Sequence, residues 1–134
     1  MYIFSFEDHK PTARKEQKRI RKAGGHITQL PNDVLRVENQ LAMTRVLGDY
    51  ALDKNIIPAL PDIIPYPKDS SSAYLILACD GIWDVMNNEQ VAKFVSERVL
   101  NTALDQIISQ LFDHCLEEES SDNMTAYIVR LHAN

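Results

Sequence analysis

The feature that most constrains the fold is the run "YLILAC", residues 74–79, which is followed directly by Asp80 and Gly81. Six consecutive apolar residues without alternation are typical of a strand that is buried on both faces. The run therefore predicts a core strand that ends at a carboxylate, and a second acid, Asp84, follows four residues later. Because a strand end is rigid, Asp80 is a candidate ligand for a cation.

Helices and further strands are predicted on both sides of this run. Residues 13–23 have a helical composition with few apolar positions, a possible cap at Thr12 and a stop at Gly24-Gly25. The Pro-rich segment 58–67 is predicted to be an extended loop. The remaining predicted elements are strands at 2–6, 26–30, 34–37 and 124–131, a helix capped by Asn87 or Asn88 with an apolar stripe at 91–99, and a strongly amphipathic helix at 104–115.

Composition limits the class of protein. A chain of 134 residues is enough for one ordinary domain, and 45% apolar with 25% charged residues argues for a globular rather than a disordered chain. Half of the 14 basic residues fall between Lys10 and Lys22, and the rest of the chain is acidic. This balance favours a cation site over a nucleic-acid interface, although the basic segment leaves an RNA-binding or phosphate-binding module open as an alternative.

The cysteines predict the cellular setting. Cys79 and Cys115 are the only two, and both lie in apolar runs, so they supply neither a disulfide framework nor a zinc cluster. A reducing, cytoplasmic location is expected, with the nucleus left open. No stretch approaches the roughly 18 apolar residues that a membrane span needs, so no membrane partner is expected.

Three acids share the pattern of standing beside a glycine or at a strand boundary. Asp80 precedes Gly81, Asp49 follows Gly48, and Asp122 stands next to Asn123 just before the last predicted strand. Carboxylates that converge would raise each other's pKa unless a cation lay among them, and oxygen-only ligands suit Mg²⁺ or Mn²⁺ rather than Zn²⁺. The alternative for each acid is an ordinary turn, because Asp before Gly or Asn is common there.

Four longer motifs carry a resemblance to a known family. "DHKPTARKEQKRIRKAGGHI", "LAMTRVLGDY", "LILACDGIWDVM" and "SSDNMTAYIV" together cover nearly all of residues 8–130. They resemble, in order, motifs of the metal-dependent serine/threonine protein phosphatases, the PPM or type 2C family. The resemblance implies an α/β fold of α+β type, built from antiparallel sheets, in which residues 1–134 form the C-terminal part of a four-layer α-β-β-α catalytic domain.

The resemblance also implies a site and a reaction. Family members hold two Mg²⁺ or Mn²⁺ ions that activate a water for attack on phosphoserine or phosphothreonine in a protein substrate. Asp80 and Asp122 match metal-ligand aspartates, and Asp84 matches an acid that in some members helps to hold a third, weaker metal. The residues expected near the site are Asp49, Gly81 and Asn123. The motif at residues 8–10 is expected to be structural.

Part of the family pattern is not found in this sequence. The family site also uses an Arg, a Glu and an Asp-Gly-His-Gly stretch, yet none of the four histidines follows an Asp-Gly pair. We therefore expect weak metal binding, little or no turnover by the chain alone, and an exposed apolar surface. The expected partner is the missing N-terminal half or a second, strand-swapped copy. The alternative function is a catalytically inactive binding or regulatory module.

Overall fold

The computed structural model describes residues 5–66 and 72–131. Residues 6–65 form one compact unit, called here the first unit, and Ser5 with the described residues from 66 onward forms the second unit. The helices and strands are α1 Arg14–Lys22, β1 Ile27–Gln29, β2 Leu35–Val37, β3 Tyr74–Ala78, α2 Asp80–Trp83, α3 Asn88–Ser96, α4 Leu104–Glu117 and β4 Ala126–Arg130. Helices beside antiparallel sheets confirm the predicted α+β class. No described helix is both long and apolar enough to cross a membrane.

Helix α1 of the first unit begins one residue later than expected and ends as predicted. Its N-cap is Ala13, with extended backbone and no side-chain cap, so the prediction that Thr12 caps this helix is wrong. Gly24 has a φ of +86°, and the N–H groups of Gly24 and Gly25 donate to the carbonyls of Arg21 and Ile20 at 3.1 and 2.9 Å. This is a Schellman motif, in which the left-handed residue is usually glycine because it lacks a Cβ.

A buried carboxylate organises the first unit. The Glu16 side chain is only 3% exposed and accepts hydrogen bonds from the guanidinium groups of Arg19 and Arg45 and from the Thr44 hydroxyl, at 2.6–3.3 Å. Thr44 in turn donates to the His9 carbonyl from its N–H and its hydroxyl, at 2.8 and 2.9 Å. A buried charge needs such partners to offset its loss of water. The network therefore joins α1 to the loop that carries Thr44 and Arg45, nearly 30 residues away, and through Thr44 to the segment just before the helix.

A short hairpin and an apolar cluster complete the first unit. β1 pairs with β2 in antiparallel register, with Ile27 opposite Val37, and Asn32 between them has a left-handed φ of 59°. Ile20, Val37 and Ile57 are buried together. The predicted strand at 2–6 lies mostly outside the described residues, and Ser5 and Phe6 belong to no strand.

The second unit is a two-stranded sheet covered by helices on one face. β3 and β4 are antiparallel, with Ile76 opposite Ile128, and both residues pack in the cluster that contains Val95 and Ile107. The prediction that β3 is buried on both faces is wrong, because Leu77 is 50% exposed on the other face. The apolar run does not alternate because the side chains on both faces of β3 are apolar. Among the described residues, the helices cover only one of these faces.

The two long helices of the second unit follow their predicted apolar stripes. α3 starts at a capping box in which Asn87 and Gln90 exchange side-chain to backbone hydrogen bonds of 2.8 and 2.9 Å. α4 buries Ile107, Leu111 and Cys115. The single-turn helix α2 was not predicted, and it places Ile82 in the core.

Candidate metal site

Asp80 lies where the sequence predicts, at the end of the central strand. β3 ends at Ala78, Cys79 continues with extended backbone, and Asp80 is the first residue of α2. The side chain of Trp83, one turn further, donates from Nε1 to the Ala78 carbonyl at 2.8 Å. This contact holds the strand-to-helix turn and presents Asp80 on the surface, where it is exposed.

Asp122 lies in the loop that joins α4 to β4. Its Oδ1 accepts from the N–H of the next residue, Asn123, at 2.7 Å. No other hydrogen bond to this carboxylate comes from the described part of the chain. This local contact orients the Asp122 carboxylate through Oδ1 and leaves its second oxygen available as a ligand.

Cys79 joins the segments that carry these two acids. Its backbone N–H donates to the Thr125 carbonyl at 3.1 Å, and its Sγ donates to the Asn123 carbonyl at 3.2 Å. Sγ also accepts from the N–H of Thr125 at 3.2 Å. Cys79 immediately precedes Asp80, and Asn123 immediately follows Asp122, so these contacts place the two acid-bearing segments side by side.

Gly81 and Ser120 make further contacts between the two acid-bearing segments. The contact region formed by residues 79–81 and 120–125 is called here the junction. The Ser120 hydroxyl donates to the Gly81 carbonyl at 2.7 Å. Gly81 is buried, and a Cβ at this position would overlap the Asn123 carbonyl oxygen and lie 3.2 Å from the Met124 Cγ. The Asp-Gly pair is therefore required by close backbone approach, because only glycine lets the two segments come so near.

The other predicted site residues occupy different positions. Asp84 ends α2, donates its N–H to the Asp80 carbonyl at 2.9 Å and is exposed. Asp49 follows Gly48 in the first unit, has a left-handed φ of 54° and is exposed. Within residues 5–66 and 72–131, no three Asp, Glu, His or Cys side chains are grouped so that they could hold a metal ion. The structure thus brings Asp80, Gly81, Asp122 and Asn123 together, and it does not extend them to a complete ligand set.

The electrostatics of the junction favour a cation. No described Lys, Arg or His lies within ion-pair distance of Asp80 or Asp122. Two carboxylates on adjacent segments repel each other unless positive charge is supplied from elsewhere. Exposed carboxylate oxygens are ligands that Mg²⁺ and Mn²⁺ accept. The residues present therefore fit part of a divalent-metal site.

Sequence reasoning did not identify the residues that hold this junction. In the sequence, Cys79 indicates only that the two cysteines form neither a disulfide framework nor a zinc cluster, and Ser120 is not singled out. Their partners lie 39–46 residues away in the chain, so no local pattern reveals the contacts. The one available signal was position, since each residue lies within two residues of a candidate ligand.

Comparison with known proteins identifies the family. The sequence model of "Protein phosphatase 2C" matches residues 4–124. The chain is 36% identical over 137 residues to "Protein phosphatase ppm-1.A" of Caenorhabditis elegans, covering 95% of this chain and 28% of that protein. It is 36% identical over 135 residues to "Protein phosphatase 1B" of Bos taurus, covering 94% of this chain and 27% of that protein.

A solved structure shows the same arrangement. The structure titled as a C. elegans sex determining protein superimposes with a TM-score of 0.80 at 30% identity, covering 96% of this chain and 32% of the other. The chain thus spans about a third or less of the length of each of these three proteins. Since the matched region includes both acid-bearing segments up to residue 124, the chain belongs to the protein phosphatase 2C family.

Proposed function

We propose that this chain contributes part of a metal-dependent protein serine/threonine phosphatase, in which Asp80 and Asp122 hold Mg²⁺ or Mn²⁺. The single observation that carries the proposal is the junction itself. Two carboxylates, neither of which has an ion-pair partner among the described residues, stand on segments that Cys79, Gly81 and Ser120 hold together. Membership of a family whose named members are protein phosphatases supports the same activity.

Each residue has a distinct role in the proposed site. Asp80 presents its carboxylate from a rigid strand end, and Asp122 presents the oxygen that does not accept from the Asn123 N–H. Asp84, one turn after Asp80, is proposed to help with a third, weaker ion. Divalent ions bound there supply positive charge that lowers the pKa of a water and neutralises the phosphoryl oxygens of the substrate. The exposure of both acids leaves room for that substrate, a phosphoserine or phosphothreonine protein.

The proposed site is incomplete in this chain. The described residues contain no third ligand grouped with another two, and the family's Asp-Gly-His-Gly stretch is not in the sequence. We therefore propose that the chain alone binds metal weakly and turns over little or no substrate. Cys79 and Cys115 are both free thiols, which is in keeping with the proposed cytoplasmic location.

The test is manganese-dependent hydrolysis of a phosphoserine peptide by this chain, alone and mixed with an N-terminal fragment of a 2C-family phosphatase that carries the Asp-Gly-His-Gly stretch. We expect activity only in the mixture, and we expect Asp80→Asn to abolish it. Asp113→Asn is the matched control, because Asp113 is an exposed aspartate on α4 outside the junction. It should leave the activity of the mixture unchanged.

A second candidate function is a non-catalytic binding module that keeps the fold. The observation that favours it is the absence of a three-ligand group among residues 5–66 and 72–131. Manganese titration distinguishes the phosphatase from the non-catalytic binding module. Paramagnetic broadening of the Asp80 and Asp122 amide signals supports the phosphatase site, whereas no broadening and no activity in the mixture would leave the binding module.

A further inference from the structure

We propose that Ser120 and Cys79 are positioning residues that fix the separation between the Asp80 and Asp122 carboxylates before any metal binds. This inference rests on the proposed function, because it assigns roles around the same site. Neither residue offers a carboxylate, and each acts on the acids through the backbone. The proposal concerns the pair, since the two side chains fasten the junction at different points.

Cys79 fastens the strand side of the junction. Its thiol is half-buried and makes two hydrogen bonds, as donor to the Asn123 carbonyl and as acceptor from the Thr125 N–H, both at 3.2 Å. A side chain that only filled space would need neither contact. Because the two partners flank Met124, in the segment that carries Asp122, the thiol sets where that segment stands relative to Asp80.

Ser120 fastens the helix side. Its backbone N–H donates to the Cys115 carbonyl at 2.9 Å, which ties it to the last turn of α4, and Glu119 before it has a left-handed φ of 65°. From that fixed point its hydroxyl donates to the Gly81 carbonyl at 2.7 Å. The bond therefore connects the end of α4 to the residue that follows Asp80.

The two contacts oppose the repulsion between the acids. Without a cation, two neighbouring carboxylates favour separation of their segments. Fastening both ends of the junction keeps the oxygens in place, so a metal does not have to order them on binding. Outer contacts of this kind typically change metal affinity by one or two orders of magnitude when they are removed.

The test combines a metal-independent and a metal-dependent measurement on the ¹⁵N-labelled chain. In Ser120→Ala and in Cys79→Ala, we expect hydrogen exchange of the backbone amides at position 79 and at Thr125 to become about fivefold faster. A factor of about this size corresponds to the loss of one hydrogen bond. We expect the manganese dissociation constant, read from broadening of the Asp80 and Asp122 amides, to rise about tenfold. Cys79→Ser keeps a donor and an acceptor and should stay close to wild type.

Ser121→Ala is the matched control, because Ser121 is the neighbouring serine and is exposed. It should change neither measurement. An equal rise of exchange at Leu111, in the core of α4, would mean that the whole unit has loosened, and it would overturn the positioning role. Faster exchange at Thr125 with unchanged manganese affinity would overturn it too. If the wild-type chain shows no manganese binding, the proposed metal site fails, and exchange at Thr125 alone then decides whether the two residues hold the junction.

Discussion

Glu16 stabilises the first unit through hydrogen bonds that also lower the pKa of its carboxyl. Burial tends to raise the pKa of its carboxyl, but hydrogen bonds from Arg45, Arg19 and Thr44 outweigh burial and lower the pKa from 4.5 to about 2. Glu16→Gln removes the charge that offsets two guanidinium groups. We expect it to reduce the free energy of unfolding of the first unit by about 2–4 kcal/mol at neutral pH, measured by denaturant unfolding followed through the Ile20 and Thr44 amide signals.

The same residue gives this unit a defined acid sensitivity. Because the folded pKa lies below the unfolded one, the stabilisation by Glu16 is complete above pH 4.5 and is lost as the pH falls towards 2. The difference in stability between wild type and Glu16→Gln should therefore shrink across this window. A difference that stays constant down to pH 2 would contradict this account.

An exposed glutamate provides the control and explains what the sequence could not show. Glu97 also forms ion pairs, with Lys93 and Arg98 at 3.8 and 3.7 Å, but its side chain is 55% exposed, so Glu97→Gln should cost less than 1 kcal/mol. The helical pattern of residues 13–23 predicts a solvated basic face. It cannot reveal that Glu16 is buried, because Arg45 and Thr44 come from nearly 30 residues away.

At the scale of elements, the start of α3 distinguishes two neighbouring asparagines. The sequence allowed Asn87 or Asn88 as the cap, and the structure assigns the cap to Asn87, whose Oδ1 accepts from the Gln90 N–H at 2.9 Å. Asn87→Ala should lower the stability of the second unit by about 1 kcal/mol. Asn88→Ala should leave stability unchanged or raise it by a few tenths of a kcal/mol, because Asn88 is exposed in the first turn and alanine favours helix.

Trp83 makes the measurement simple, because it is the only tryptophan and packs against the core of the same unit. Urea unfolding followed by its fluorescence reports both variants. Equal losses from the two substitutions would contradict the assignment of the cap. This choice was beyond sequence reasoning because the two residues are identical, and only the extended backbone of Asn87, with ψ of 171°, distinguishes them.

Periodicity predicted the elements well wherever one stripe meets one core. α4 buries Ile107, Leu111 and Cys115 as its pattern requires, and β1 and β2 form the expected hairpin. It failed at β3, where the apolar run predicted burial of both faces.

The candidate site was likewise predictable only in part. Asp80 and Asp122 are visible as motifs, whereas their proximity depends on strand pairing between Ala78 and Ala126 across 48 positions.

At the scale of the whole chain, one face of the β3–β4 sheet exposes apolar side chains from both strands. The open sheet face, defined by Leu75, Leu77, Tyr127 and Val129, consists of two cross-strand apolar pairs. Leu77, Tyr127 and Val129 are 50%, 62% and 43% exposed. Contiguous apolar surface of this kind favours association, and two sheets can stack face to face at about 10 Å.

We therefore expect the isolated chain to self-associate through the open sheet face, with a mass in analytical ultracentrifugation that rises with concentration. Leu77→Lys or Tyr127→Lys should return it towards the monomer, because a charge would be buried in the stacked sheets. Leu100→Lys is the control, since Leu100 is 87% exposed but lies after α3, away from the sheet. Leu100→Lys should leave association unchanged. The open sheet face does not drive association if the wild-type chain stays monomeric at every concentration, or if all three substitutions have equal effects.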